Sequence, residues 1–185
     1  MSRKPVLRDH IATSVLAAAA VVLAERGDAA SMADIASAAG VGRATLYRYF
    51  PTREALLAAL GRRALDELTD RIEEAGLETV PVAEGIARLT RAFLGTGCRY
   101  AAFLRTGPKP ADADEIQAQL GAPLLALLAR GAADGTLRAD LSPEVLLAFY
   151  GGLIESAMPL AAPGALGVER ASAATTAFFL NGAVA

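Results

Sequence analysis

Apolar residues recur at intervals of three and four along almost the whole chain, and few stretches alternate in the manner of a strand. Over residues 8–26, Ile11, Val15, Leu16, Ala19, Val22 and Leu23 mark the inward face of a first helix, which Gly27 ends. Ser31 with Asp34 three residues later predicts an N-cap opening a short helix at about Met32, striped by Ile35, Ala36 and Ala39. Gly40 stands where a helix ends in a left-handed residue, and Val41 can plug the corner that follows. After Gly42 a helix of about two turns is expected over 43–50. Thr52 to about Glu74 reads as a long fourth helix carrying Leu56, Leu60, Leu65, Leu68 and Ile72.

The second half is punctuated as clearly. A loop at 76–81 precedes a fifth helix expected over 82–105, and 106–110 is a loop. A short helix at 112–120 is expected to end at Gly121, with Pro123 opening another that runs to about Asp134 and stops at Gly135. Ser142-Pro143-Glu144 is an N-cap with Pro at the first helical position, opening 143–158, and a last helix covers 167–182.

Composition agrees with an all-α fold: 54% of the 185 residues are hydrophobic, with Ala and Leu abundant. The expected architecture is a three-helix N-terminal head (1–55), joined through the fourth helix to a C-terminal helical body (56–185), about nine helices in all. The longest apolar run, Val15 to Ala24, is too short to cross a bilayer, and no signal-type cleavage pattern follows the N-terminus. A cytoplasmic protein without membrane contact is expected. One cysteine excludes an internal disulfide, and Cys98 in an apolar helix reads as an inert thiol. His10 is alone, so neither a metal site nor a His-based catalytic set can be assembled. No cofactor is expected, and no catalytic residue.

The chemistry is concentrated in residues 31–54, which read as a helix-turn-helix. Within 43–50, Leu46 and Phe50 are four apart and face inward with Ile35 and Val41. Arg43 and Tyr47 form one further pair, and Thr45 and Tyr49 another; Arg48 adds a second guanidinium. Arg reads guanine edges bidentately, Ala44 and Thr45 methyls can meet thymine methyls, and hydroxyls reach phosphate oxygens. The alternative is a solvated helix packed by half-exposed tyrosines.

A pI near 5.5 opposes nucleic-acid binding only where the charge is spread evenly along the chain. Residues 1–63 carry nine Lys+Arg against five Asp+Glu, a net +4, whereas the remaining 122 carry nine against fifteen, a net −6. The positive charge sits with the motif. Arg3 and Lys4 make a short basic arm that can follow a DNA backbone or can be a loose terminus.

The run Ala-Gly-Val-Gly-Arg-Ala-Thr-Leu-Tyr-Arg-Tyr-Phe-Pro-Thr-Arg-Glu-Ala-Leu (39–56) resembles the signature of the tetracycline-repressor (TetR) family of bacterial transcription regulators. Upstream, Val15, Leu16, Ala18, Ala19, Glu25 and Gly27 are similar to the family's first helix and turn; the resemblance covers about residues 11–60. It implies base contacts at Arg43 and Ala44, phosphate or base-edge contacts at Thr45, Tyr47 and Tyr49, and a phosphate-facing helix start at Ser31. Arg53 replaces the family's usual Lys, keeping the charge but changing the hydrogen-bond geometry.

Both final helices are apolar around much of their circumference, with Gly151, Gly152, Ala173, Ala174 and Ala177 permitting close approach. Self-association through 143–158 and 167–182 covers them, as in the resembled family; the alternative places them centrally in a monomer. The implied function is a homodimeric repressor of a pseudo-palindromic DNA operator, released by a small, largely apolar effector. Phe93, Thr96, Tyr100, Phe103, Tyr150 and Met158 are the candidates to line an effector pocket, or else ordinary core. The alternative function is a helical small-molecule-binding or scaffolding protein that has lost operator binding.

Overall fold

Helix-forming residues at helical spacing give eight α-helices and no β-strand among the described residues. These are 4–100, 113–162 and 164–183 of a computed structural model. In chain order the helices are α1 (Lys4–Arg26), α2 (Met32–Ala38), α3 (Arg43–Tyr49), α4 (Arg53–Glu74), α5 (Val82–Arg99), α6 (Ala113–Asp134), α7 (Pro143–Ala161) and α8 (Val168–Ala183). A 3₁₀ turn, Gly27–Ala29, follows α1, and Gly27 has φ +55°. The chain forms two units: residues 1–64 with 99–111, and residues 65–98 with 112–185. The division falls inside α4.

The first unit buries Val15, Ala19 and Leu23 of α1 with Ile35 of α2, Leu46 of α3, and Leu56 and Leu60 of α4. Tyr100 joins this core. A buried leucine contributes roughly 1.5–3 kcal/mol, so this small set suffices to hold two seven-residue helices that would not form alone.

The second unit is built on α5, which packs tightly because two of its glycines meet neighbouring helices. A Cβ at Gly85 would stand 2.9 Å from Leu127 Cδ2 of α6, and one at Gly97 would collide with the Met158 thioether of α7. Ile86 and Leu89 of α5, Leu124 and Leu128 of α6, Leu146 and Ile154 of α7 and Phe179 of α8 belong to one core. The turn after α4 is tied by two guanidiniums. Arg130 donates to the carbonyls of Leu77 (2.9 Å), Glu78 (3.0 Å) and Val80 (2.6 Å), and Arg88 donates to that of Ala75 (2.9 Å). A helix C-terminus leaves carbonyls without intrahelical partners, and these guanidiniums supply donors there.

Two expectations need correction. The two helices anticipated at 112–120 and 123–134 are one, α6, with Pro123 inside it. An internal Pro costs about 3 kcal/mol, but Leu124, Leu127 and Leu128 directly after it are buried and offset that cost. Eight helices are thus present among the described residues. Finally, the limit set by the run Val15 to Ala24 was too strict: 10–29 and 143–161 each reach bilayer length at mean hydropathy 1.2. Each nonetheless turns a face of core side chains to its neighbours, Val15, Ala19 and Leu23 in one and Leu146, Tyr150 and Ile154 in the other.

α5 ends at Arg99; Phe103, Leu104 and the loop 106–110 lie outside the described residues, as does Arg3. Lys4 is the first residue of α1.

Candidate nucleic-acid interface

The recognition face depends first on where α2 begins. Ser31 Oγ accepts the Asp34 N–H (3.1 Å), and Asp34 Oδ2 accepts both the Ser31 N–H (2.9 Å) and the Ser31 hydroxyl (2.6 Å). This reciprocal capping box satisfies donors that a helix start leaves open. Arg26, at the end of α1, pairs with the other carboxylate oxygen at 2.8 Å. The Ser31 hydroxyl, then the Ser31 N–H, and the Arg26 charge hold the Asp34 carboxyl below the usual carboxylate range. One acidic side chain thus fixes both the start of α2 and its approach to α1.

The turn between α2 and α3 is fixed by backbone bonds, and Val41 within it packs against the head's core. The Val41 N–H reaches back to the Ala36 carbonyl (3.0 Å) and the Gly40 N–H to that of Ser37 (3.1 Å). This double closure requires a left-handed residue at Gly40, whose φ is +67°. Gly42 then sits at the N-cap of α3 in extended conformation.

With the corner set, the faces of α3 separate as its spacing demands. Leu46 is fully buried, and Phe50 just past the helix end is buried beside it. Arg43, Ala44, Tyr47 and Arg48 are exposed, and their spacing places all four on one side of the helix. Thr45 and Tyr49 are half-buried, and Tyr49 packs against the head's core. The Arg48 guanidinium lies 5.5 Å from the centre of the Tyr49 ring, a cation–π distance. Tyr49 is therefore partly occupied within the head, whereas Tyr47 offers its ring and hydroxyl outward.

Arg53 opens α4 immediately after Thr52, whose hydroxyl accepts the Ala55 N–H at 3.1 Å. The Arg53 Nη1 donates to the Ala30 carbonyl, one residue before the α2 N-cap. Ser31 and Arg53 are thereby brought to one edge of the head. Lys4 stands at the start of α1, at the other end of that helix from Arg26.

The candidates for an effector pocket divide. In the second unit Tyr150 is buried, with Phe93 edge-on at 6.3 Å and Phe179 at 5.2 Å. Its hydroxyl lies 3.0 Å from Thr90 Oγ1, whose own proton goes to the Ile86 carbonyl at 2.8 Å. Met158 covers Gly97, and Thr96 is buried with no hydrogen-bond partner for its hydroxyl among the described residues. Tyr100 lies apart from these, in the core of the first unit, and Phe103 lies outside the described residues. Sequence reasoning missed Thr90 and Phe179; their inward register on α5 and α8 was the available signal. Among the described residues no group of three or more potential metal ligands is assembled.

The comparisons with known proteins converge on this head and extend beyond it. Residues 15–60 match the model of bacterial regulatory proteins of the tetR family. LfrR, an HTH-type transcriptional repressor of Mycolicibacterium smegmatis, is 41% identical over 90 residues. That match covers 49% of this chain and 47% of LfrR, so the chain spans about half the length of this relative. KstR2, an HTH-type transcriptional repressor of Rhodococcus jostii, is 26% identical over 148 residues, 74% of this chain and 72% of KstR2. Among solved structures, the TetR transcriptional regulator SCO0520 of Streptomyces coelicolor is 30% identical, covers 92% of this chain and 97% of its own, and superposes with a TM-score of 0.63. With its capped helix-turn-helix, its exposed Arg43–Tyr47 face and this near full-length likeness, the chain belongs to the TetR family of bacterial transcription regulators.

Proposed function

We propose that this chain is a homodimeric, cytoplasmic transcriptional repressor that binds a pseudo-palindromic operator and releases it on binding a small, largely apolar effector. The observation that carries the DNA-binding part is the exposed side of α3. Arg43, Ala44, Tyr47 and Arg48 project from a helix whose opposite side, Leu46, is anchored in the core. Thr45 and Tyr49 flank that side, and Ser31, Arg53 and Lys4 are the proposed backbone contacts. Residues 1–55 serve DNA binding, and 56–185 serve dimerisation and effector binding.

Support for the dimer comes from apolar surface on α7 and α8. Phe149 is 61% exposed and Phe178 72%, with Val145 and Leu160 exposed along the same helix as Phe149. Such side chains at helical spacing suit an isologous four-helix interface over 143–158 and 167–182. Two heads related by a twofold axis then address half-sites about one DNA turn apart or more. For the effector, Phe93, Thr96, Tyr150 and Met158 supply an apolar surround with hydroxyls.

Sheared DNA from the source genome, passed over the purified protein and sequenced after salt elution, tests the reading. A shared palindromic sequence retained by the wild type and lost by Arg43→Ala/Tyr47→Ala is expected. Retention of no specific sequence, with and without cell metabolites, would instead favour a helical binding protein that does not recognise an operator.

A further inference from the structure

A hydroxyl on an apolar helix commonly returns its proton to the carbonyl four residues back. Thr90, Thr175 and Ser156 do so, each at 2.8 Å, to Ile86, Ala171 and Gly152. Ser172 and Thr176 do not. Ser172 is 3% exposed, Thr176 is half-buried, and neither buried Oγ has a hydrogen-bond partner among the described residues. They stand four apart on α8 and so share one side of it, a turn apart. That side is the inward one. Val168 on it lies 3.8 Å from the position of a Cβ at Gly95 of α5, and Phe179 on it meets the Tyr150 ring. Leaving a buried hydroxyl unsatisfied is unfavourable, and Ala and Val would fill the same space without that cost.

The surroundings fix the chemistry of a partner. Apart from the buried tyrosines Tyr100 and Tyr150, the buried polar side chains among the described residues are Thr90, Thr96, Ser172 and Thr175, so no charge is buried. The nearest charges on α8, Glu169 and Arg170, are exposed, and Glu169 is paired with Arg91 at 3.1 Å. Arg71 Nη1 stands 3.9 Å from the same Gly95 position, but Arg71 is paired with Glu67 at 3.2 Å, so a charged molecule would meet no free counter-charge. A carbonyl oxygen brings two lone pairs, one for each hydroxyl proton, and an apolar skeleton suits the cluster containing Leu94, Tyr150 and Phe179. We infer that Ser172 and Thr176 are the polar anchor of an effector site on the inward side of α8, accepting a neutral, apolar molecule through a carbonyl-type acceptor. The inference deepens the effector reading above and rests on it. Thr96, the other orphan hydroxyl, is three turns from Gly85 on the side of α5 that meets Leu127, and is not part of the pair.

Benzophenone, neutral and apolar with one carbonyl, is a direct probe, and diphenylmethane is its carbonyl-free counterpart. Equilibrium binding to the full chain without DNA is expected to favour benzophenone by roughly tenfold, the value of one net hydrogen bond. Ser172→Ala/Thr176→Val should erase the preference while leaving diphenylmethane affinity unchanged. Irradiation of the wild-type complex should place benzophenone adducts on peptides from α5 and α8, a readout that needs no variant to fold. Equal affinity for both probes, a preference that survives the double substitution, adducts confined to other helices, or no benzophenone binding up to its solubility limit would each overturn the inference. DNA capture in parallel keeps the two readings separate, because a loss of operator binding leaves the probe result unaffected.

Discussion

The Arg53 guanidinium donates to the carbonyl of Ala30, so the first residue of α4 grips the chain one residue before the N-cap of α2. Lys, usual in the resembled family, has the charge for a phosphate but not the planar fork that serves a carbonyl and a phosphate together. Arg53→Lys should weaken DNA binding by about fivefold, the effect of one lost hydrogen bond, with an unchanged salt dependence. Arg53→Met should also flatten the slope of log affinity against log salt by about 0.9, one phosphate contact. Titrations of a captured DNA fragment from 50 to 200 mM salt check both. A Lys variant that binds as tightly as the wild type would assign Arg53 to the phosphate alone.

The capping box makes the head sensitive to acid. The Asp34 carboxyl is held low by the Ser31 hydroxyl first, so its contribution to stability is present above the unfolded-chain value of about 3.9 and is lost as pH falls through the lower folded value. Ser31→Ala should cost about 1 kcal/mol at pH 7. Asp34→Asn should flatten the stability profile below pH 4, where the wild type declines. Urea unfolding of the full chain at pH 7, 4 and 3 measures both. A Ser31→Ala cost as large at pH 3 as at pH 7 would contradict the assignment.

Most of the head was legible because its determinants are local. Ser31 and Asp34, Gly40, and the alternation of Leu46 with Arg43 and Tyr47 each act within a few residues, and the structure places them as their spacing requires. The body was legible only in outline, since its deciding contacts join residues far apart in sequence. Pro123 reads as a helix start until the burial of Leu124, Leu127 and Leu128 is known. Arg130 reads as one more surface cation, yet it holds three carbonyls about fifty residues upstream. Helical spacing groups Tyr100 with Phe93, but Tyr100 is buried in the core of the first unit. The orphan hydroxyls of Ser172 and Thr176 are invisible in sequence, where any Ser or Thr on a helix is assumed to bond to its own backbone.

Phe149 and Phe178 should govern assembly. Each is largely exposed on one chain, and a charge at either would be buried without a partner in an isologous interface. Phe149→Asp and Phe178→Asp should each convert the protein to monomer in sedimentation equilibrium. Helix content should stay unchanged and DNA affinity should fall by at least tenfold, because the half-sites are then no longer engaged together. A variant that remains dimeric would place the interface elsewhere.

Tyr150 sets the upper pH limit of the body. Burial pushes its hydroxyl well above the ordinary tyrosine value, with the Thr90 hydroxyl pulling the other way. A raised folded value means that the stability it confers is complete below the unfolded-chain value of about 10 and is lost as pH rises beyond it, where only the unfolded chain ionises. The wild type should therefore lose stability between pH 9 and 11. Tyr150→Phe should cost about 1 kcal/mol at pH 7, the value of one hydrogen bond, while Thr90 keeps its bond to the Ile86 carbonyl. The same substitution should remove this residue's share of the alkaline loss, so the two unfolding curves converge as pH rises. If they stay parallel to pH 11, Tyr150 is ionising in the folded protein, and the sealed aromatic cluster with Phe93 and Phe179 must be open to water.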